Sequence, residues 1–384
     1  MRTFTLITFG LAAVTLSGHS AADFGRVPRL QANPEQFISN FVSQRGIKGA
    51  AVTIWNPRGQ IVWSKGYGST GTAPFTPDTV CRVASISKIF TSIGIMYAVK
   101  EGKIDLDAPI TTYLKYPKLG DPRISKITTR MMLQHISGID SKAVPICIPS
   151  QVSTTLPLTP QLVTDWVMTQ KPLERDPGTA YAYSNTAFTV LGVILEKATG
   201  TDYEQYVKKV LAQMGVSKSR IGHTLKSDPD ETQYYDLGNR SNHSSFQYGN
   251  SLPSQRLFLP YGGAFVLESM PGGAGWASTS NDLAKIMIGT FGSYKVFNEK
   301  LQAQMIARPS IISDSYYTGL GWNRSLAGTF RTGSLECSSA CVIWLNSGFG
   351  FSYVQNTCTA NDKTEFGAGK FLDDFTGWMN QNAG

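Results

Sequence analysis

A long, largely apolar run from Ile89 to Val99 constrains this chain more than any other stretch. Such a run predicts a buried helix, and it is too short to span a bilayer. The tetrapeptide Ser85-Ile86-Ser87-Lys88 opens it. On a helix, residues three apart share a face, so the Ser85 hydroxyl and the Lys88 amine are expected side by side. A serine hydroxyl needs a partner to take its proton, and a lysine can do so only when burial or a nearby cation lowers its pKa. In the first turn, Ser85 also gains from the positive end of the helix dipole. The motif S-x-x-K alone more often marks a capping serine followed by a surface lysine, so the rest of the chain has to decide.

Residues Met1 to about Ala22 read as a secretory signal. Arg2 supplies the positive end, Phe4 to Leu16 the apolar stretch and Ser20-Ala21-Ala22 the cleavage site. We therefore expect a mature chain beginning at Asp23, secreted to the extracellular space or periplasm and without a membrane span. Loss of Arg2 takes the formal charge from +8 to 8 − 1 = +7. That excess is spread along the chain and makes no basic tract, which argues against a nucleic-acid partner. The five cysteines, Cys81, Cys147, Cys337, Cys341 and Cys358, suit an oxidising compartment. The histidines His19, His135, His223 and His243 lack ligand spacing, so no metal is expected, and no motif implies a cofactor. In a eukaryotic host, Asn239, Asn242 and Asn323 would be glycan acceptors.

Asn33-Pro34 starts an amphipathic helix carrying Phe37, Ile38, Phe41 and Val42. Ala50–Trp55 and Gln60–Ser64 flank Asn56-Pro57-Arg58-Gly59, the pattern of a β-hairpin. Between Gly102 and about Ile221 helices and loops dominate. One helix is expected from Ile127 to His135, one over Asn185–Thr199 with Gly200 as its stop, and one from Tyr203 to Met214. His135, at an apolar helix end with no acid at a telling spacing, reads as a structural histidine. Arg220 to Gly263 is polar and reads as long loops with short strands, a rim for a binding cleft. Pro271-Gly272-Gly273-Ala274-Gly275 lacks the Lys-Ser/Thr of a phosphate loop and reads as a tight turn before a helix beginning near Thr279. Strands return over 318–322, 328–334, 341–345 and 351–354, and a helix with Phe371, Phe375 and Trp378 closes the chain. The expected class is α/β: one catalytic unit over 23–384, with a sheet built from about 33–101 and 285–384 and a helical insertion over about 102–284. If the last hairpin turns at Ser347-Gly348, Cys337 faces Cys358, and these two are the disulfide candidates.

Three pieces stand in order: Ser85-x-x-Lys88, Tyr183-x-Asn185 and Arg331-Thr332-Gly333 followed by Ser334. Together with Leu106-Asp107-Ala108-Pro109-Ile110, His135-Ile136-Ser137-Gly138 and Pro177-Gly178-Thr179, they resemble the serine β-lactamase and penicillin-binding-protein superfamily. The resemblance is to the branch of class C β-lactamases, D-alanyl-D-alanine carboxypeptidases, D-aminopeptidases and related esterases, and it covers about Phe37 to Val354. It implies a β-lactamase/transpeptidase-like fold, an antiparallel sheet flanked by helices. It also implies that Ser85 is acylated, that Lys88 and Tyr183 exchange its proton, and that Asn185 holds Lys88 and the substrate. Backbone N–H groups of Ser85 and Ser334 would form the oxyanion hole, and Arg331, Thr332 and Gly333 would line the substrate.

Arg331 departs from the lysine or histidine usual in that family. It keeps the positive charge and can fork onto a carboxylate, but cannot exchange a proton as histidine does. The expected function is a secreted serine hydrolase acting through an acyl-enzyme on an ester or amide of a small molecule or peptide. The alternatives are a β-lactamase, an acyltransferase and a catalytically weak penicillin-binding or sensor protein.

Overall fold

The computed structural model describes residues 29–139, 159–223, 228–237, 267–292, 296–335, 337–358 and 367–383. Its strands are β1 (Gly49–Trp55), β2 (Ile61–Gly68), β3 (Cys81–Arg82), β4 (Arg220–Ile221), β5 (Tyr235–Asp236), β6 (Trp276–Ser278), β7 (Tyr317–Thr318), β8 (Asn323–Arg324), β9 (Gly328–Leu335), β10 (Ser338–Leu345), β11 (Gly350–Gln355) and β12 (Thr357–Cys358). Seven of them form one antiparallel sheet in the order β2-β1-β11-β10-β9-β8-β7. The N-terminal hairpin thus lies beside a C-terminal strand, and the two ends of the chain share one sheet. The expected class and architecture, an antiparallel sheet flanked by helices, are those observed.

Because strand side chains alternate between faces, the sheet feeds two cores. Trp55, Val342 and Val354 join the core that surrounds the helix Ser87–Lys100. Their neighbours Ile54, Ile343 and Tyr353 join a second core under the helices Glu35–Gln44 and Gly367–Asn382. The central helix is buried on nearly every side. Phe90 stacks on Trp276 with ring centroids 4.4 Å apart. A Cβ on Gly94 would come within 2.7 Å of Leu195, so the helix Asn185–Thr199 packs directly on it.

That second helix has the bounds its sequence suggested, because Ser184 accepts a hydrogen bond from Ala187 N at its start and Gly200 adopts a left-handed φ of 67° at its end. The helix expected over Ile127–His135 is shorter, Thr129–Leu133, since His135 leaves the helical region at φ 58°. The short strands β3, β6 and β4 form a small sheet. They bring the loop-rich region into contact with the segment ahead of Ser85. Residues 1–28, 140–158, 224–227 and 238–266, with the signal, Cys147, His243, Asn239 and Asn242, lie outside the described residues. Asn323 is buried and its Nδ2, the atom a glycan would take, donates to Tyr316 Oη at 3.3 Å, which leaves no place for a glycan.

Cys337 and Cys358 form a disulfide, as expected, but the register behind that expectation is one residue off. Cys341 pairs with Tyr353 and Ser339 with Gln355, which would put Thr357 opposite Cys337. Instead Cys337 lies in the β9–β10 connection at φ 59°, and Cys358 lies on β12, which leaves the main sheet to pair in parallel with β5. The chain's departure from the ladder, not direct opposition, brings the sulfurs together. Cys81 and Cys341 are buried thiols.

Candidate active site

The segment that presents Ser85 is held from below. The buried Arg82 guanidinium pairs with Glu231 at 2.9 Å, Tyr234 donates to the same carboxylate at 2.7 Å, and Arg82 N donates to Tyr234 Oη. Ala84 takes a left-handed φ of 49°, turning the chain from β3 into the 3-10 turn Ala84–Ile86. Ser85 therefore sits in this turn, just ahead of the central helix, and is partly exposed.

Four elements meet there. The central helix brings Lys88, the loop before the helix Asn185–Thr199 brings Tyr183, that helix's first residue is Asn185, and β9 brings Arg331 and Gly333. Ser85 Oγ lies 2.6 Å from Tyr183 Oη. Lys88 Nζ, fully buried, donates at 2.6 Å to Asn185 Oδ1 and at 2.6 Å to the Gly273 carbonyl, and lies 3.4 Å from Ser85 Oγ. Burial first, and the Arg331 cation second, hold the Lys88 pKa well below that of an ordinary lysine. A neutral amine has two N–H groups and one lone pair. With both short acceptors carbonyl oxygens, the lone pair is left for Ser85.

Along β9, Arg331 and Gly333 pair with Val342 and Ala340, residues of the core on the Ser85 side. Thr332 pairs with Cys341 of the rear core and so stands on the opposite face. Gly333 cannot be anything larger, since a Cβ would meet Val83 O at 2.0 Å and approach Ser85 N and Ile86 N to 2.9 Å. The strand thus runs against the turn that carries the serine, with Ser334 next in line. Arg331 is almost wholly buried. Its Nε donates to Ser85 O at 3.1 Å, its Nη1 to Asn323 Oδ1 at 3.1 Å, and its Nη2 reaches Tyr183 Oη at 3.4 Å. With Nε and Nη1 on protein acceptors, the guanidinium presents no two-pronged face to a ligand.

The sequence did not mark Gly273 or Asn323 as site residues, nor the closeness of His135. The double glycine was the available signal. Gly272 and Gly273 form a short helix whose carbonyls accept from Thr91 and Lys88, and a Cβ on Gly272 would meet Phe188 O at 2.3 Å. His135 lies buried with its ring centroid 4.5 Å from that of Tyr183.

A family model described as Beta-lactamase matches residues 34–362. The chain belongs to the β-lactamase family. Members of this family are serine hydrolases. It is 28% identical over 210 residues to a "Probable fimbrial assembly protein FimD, serogroup H1" of Dichelobacter nodosus, covering 52% of this chain and 50% of that protein. It is 25% identical over 279 residues to a "Putative D-alanyl-D-alanine carboxypeptidase" of Salmonella paratyphi A, covering 66% of this chain and 62% of the other. The chain thus spans between half and two thirds of the length of these curated relatives. In fold it resembles a D-amino acid amidase from Ochrobactrum anthropi SV3, with a TM-score of 0.69 at 19% identity over 90% of this chain and 97% of the other.

Proposed function

We propose that this β-lactamase family member is an exported hydrolase that forms an acyl-enzyme at Ser85 on an ester or amide, of the esterase or D-residue peptidase type. The 2.6 Å contact between Ser85 Oγ and Tyr183 Oη, with buried Lys88 behind it, carries the reading. Ser85 Oγ bonds to the acyl carbon as the bond from that carbon to the leaving oxygen or nitrogen breaks. The Ser85 proton passes to Tyr183 and Lys88 and from them to the leaving group. Water then cleaves the ester, with the same groups taking its proton. N–H groups of Ser85 and Ser334 hold the developing oxyanion, where one donor is worth about 3 kcal/mol. Asn185, Arg331 through Nη2 and the Gly333 backbone contact the substrate, whereas the Thr332 side chain, expected to line it, stands on the far face of β9.

Arg331 favours an ester or an amide over a peptide recognised by its free carboxylate. Only Nη2, whose bond to Tyr183 is long at 3.4 Å, is placed to meet a substrate oxygen, and one nitrogen cannot make the paired bonds of a carboxylate clamp. The names of the carboxypeptidase and amidase relatives point to acyl groups of D-residues. Export is supported by the N-terminal apolar stretch and by the Cys337–Cys358 disulfide.

Intact-mass measurement after incubation with a fluorophosphonate tests the nucleophile, and turnover of p-nitrophenyl esters and D-amino acid amides tests the substrate class. One adduct, absent in Ser85→Ala, with ester or D-amide hydrolysis is expected. Failure to label, or turnover of penicillins with no ester or amide hydrolysis, overturns the proposal.

A further inference from the structure

Tyr183 reaches Ser85 from a loop, and a loop alone does not hold a phenol to within tenths of an ångström. Both flanks of Tyr183 are tied to one residue. Ala182 N donates to the His135 carbonyl at 2.7 Å, and Ser184 N donates to His135 Nδ1 at 3.1 Å. The imidazole also packs on the Tyr183 ring, with centroids 4.5 Å apart and planes tilted by 38°, and on Phe188 at 5.0 Å. His135 achieves this only by adopting a left-handed φ of 58°, which turns both its carbonyl and its ring toward the 182–184 segment. That conformation is uncommon outside glycine, and asparagine, aspartate and histidine are the residues that enter it most readily.

We propose that His135 is the positioning residue for Tyr183, its Nδ1 and carbonyl clamping the backbone on either side so that Oη meets Ser85 Oγ. This rests on the acyl-enzyme reading above and assigns His135 no contact with substrate. The Nδ1 bond requires that nitrogen to be unprotonated, with the proton on Nε2. Burial, then the Arg331 cation and Lys88 when it is protonated, hold the His135 pKa well below its ordinary value, so the acceptor persists at neutral pH. Ser184 Oγ meanwhile caps the following helix. The clamp thus fixes Tyr183 and the start of the helix that carries Asn185 together.

Three variants separate positioning from mere filling of space. His135→Asn keeps an acceptor near the place of Nδ1 and tolerates the left-handed backbone, but loses the ring. His135→Phe keeps a ring and loses the acceptor, and His135→Ala loses both. A displacement of about 1 Å at a reacting group can cost about 100-fold. We expect His135→Phe and His135→Ala to lower kcat about 10- to 100-fold at nearly unchanged KM, and His135→Asn to restore the rate to within about threefold of wild type. A His135→Phe enzyme at the wild-type rate, or a His135→Asn enzyme as slow as His135→Ala, overturns the proposal. Circular dichroism and thermal midpoints confine the comparison to folded protein. Crystal structures of the same variants read the Ser85 Oγ to Tyr183 Oη distance without any turnover. That distance should lengthen in His135→Phe and stay near wild type in His135→Asn. If Ser85 fails to label in the wild type, the acyl-enzyme reading falls while this distance still decides the role of His135.

Discussion

At the scale of single residues, the proposed mechanism makes Lys88 govern when the site can work. As a base it must be neutral, and its neutral fraction rises as pH climbs through its depressed pKa, so acylation should rise along an acid limb well below the titration of a free lysine. The Arg331 cation is one of the two causes of the depression. Arg331→Gln removes a like charge, relieves Lys88 of repulsion and raises its pKa, which shifts the acid limb to higher pH. Fluorophosphonate labelling rates measured from acid to alkaline pH check this. A limb that stays in place, or moves down, means that another group takes the Ser85 proton. Lys88→Met should lower acylation by about 10²–10⁴-fold above the acid limb, the usual contribution of a placed proton acceptor, and by less below it, where the wild-type amine is protonated. The residues of this chemistry were largely legible in the sequence, because Ser85 and Lys88 lie three apart on one chain segment and Tyr183 and Asn185 lie two apart on another. What was hidden came through the backbone. Gly273 contributes a carbonyl and His135 a carbonyl and a strained turn, and residue type does not announce either.

At the scale of elements, legibility followed length and punctuation. The helix Asn185–Thr199 could be bounded because Ser184 and Gly200 mark its ends chemically. The hairpin of β1 and β2 could be seen because two strands of similar length flank a turn-forming stretch. The strands β3 and β12, two residues each, were not legible, and β4 and β5 were expected only as unplaced short strands between Arg220 and Gly263, since two residues cannot display an alternation. The last of these carries Cys358 away from the main ladder, which is why a register one residue in error still named the right cysteine pair. The bridge spans 21 residues and ties the β9–β10 connection to β12. In the loop-entropy account, closing a loop near that length stabilises the fold by about 3 kcal/mol. The double variant Cys337→Ser, Cys358→Ser should therefore lose about 3 kcal/mol in urea unfolding, with a steeper dependence on urea concentration because the unbridged unfolded chain exposes more surface. A loss under about 1 kcal/mol would mean that the β9–β10 connection is already ordered without the bridge. Cys81 and Cys341 are buried, and burial raises the pKa of both thiols, so neither offers a ready thiolate to reshuffle the pair.

At the scale of the whole molecule, the sheet divides labour between its two faces. The face toward the central helix carries Arg331 and Gly333 and forms one wall of the cleft, and its core takes in residues from both the sheet and the helices between. Those helices therefore share the core of the sheet. The rear face is an aromatic layer. Phe371 stacks on Tyr353 with centroids 4.1 Å apart and meets Phe41 at 5.0 Å and Phe375 at 5.0 Å, joining the C-terminal helix, the N-terminal helix and β11. No chemistry of the cleft passes through this layer. Truncation of a fully buried phenylalanine typically costs about 3–5 kcal/mol, and Phe371 is fully buried. Phe371→Ala should lose stability of that order in chemical denaturation. Under native conditions, the fraction that remains folded should label at Ser85 within about twofold of the wild-type rate. Labelling that falls in step with stability would show instead that the rear layer sets the position of β9. In that case Gly333, which already stands against the Ser85 turn with no room for a Cβ, would be the point where a loosened sheet first disturbs the nucleophile.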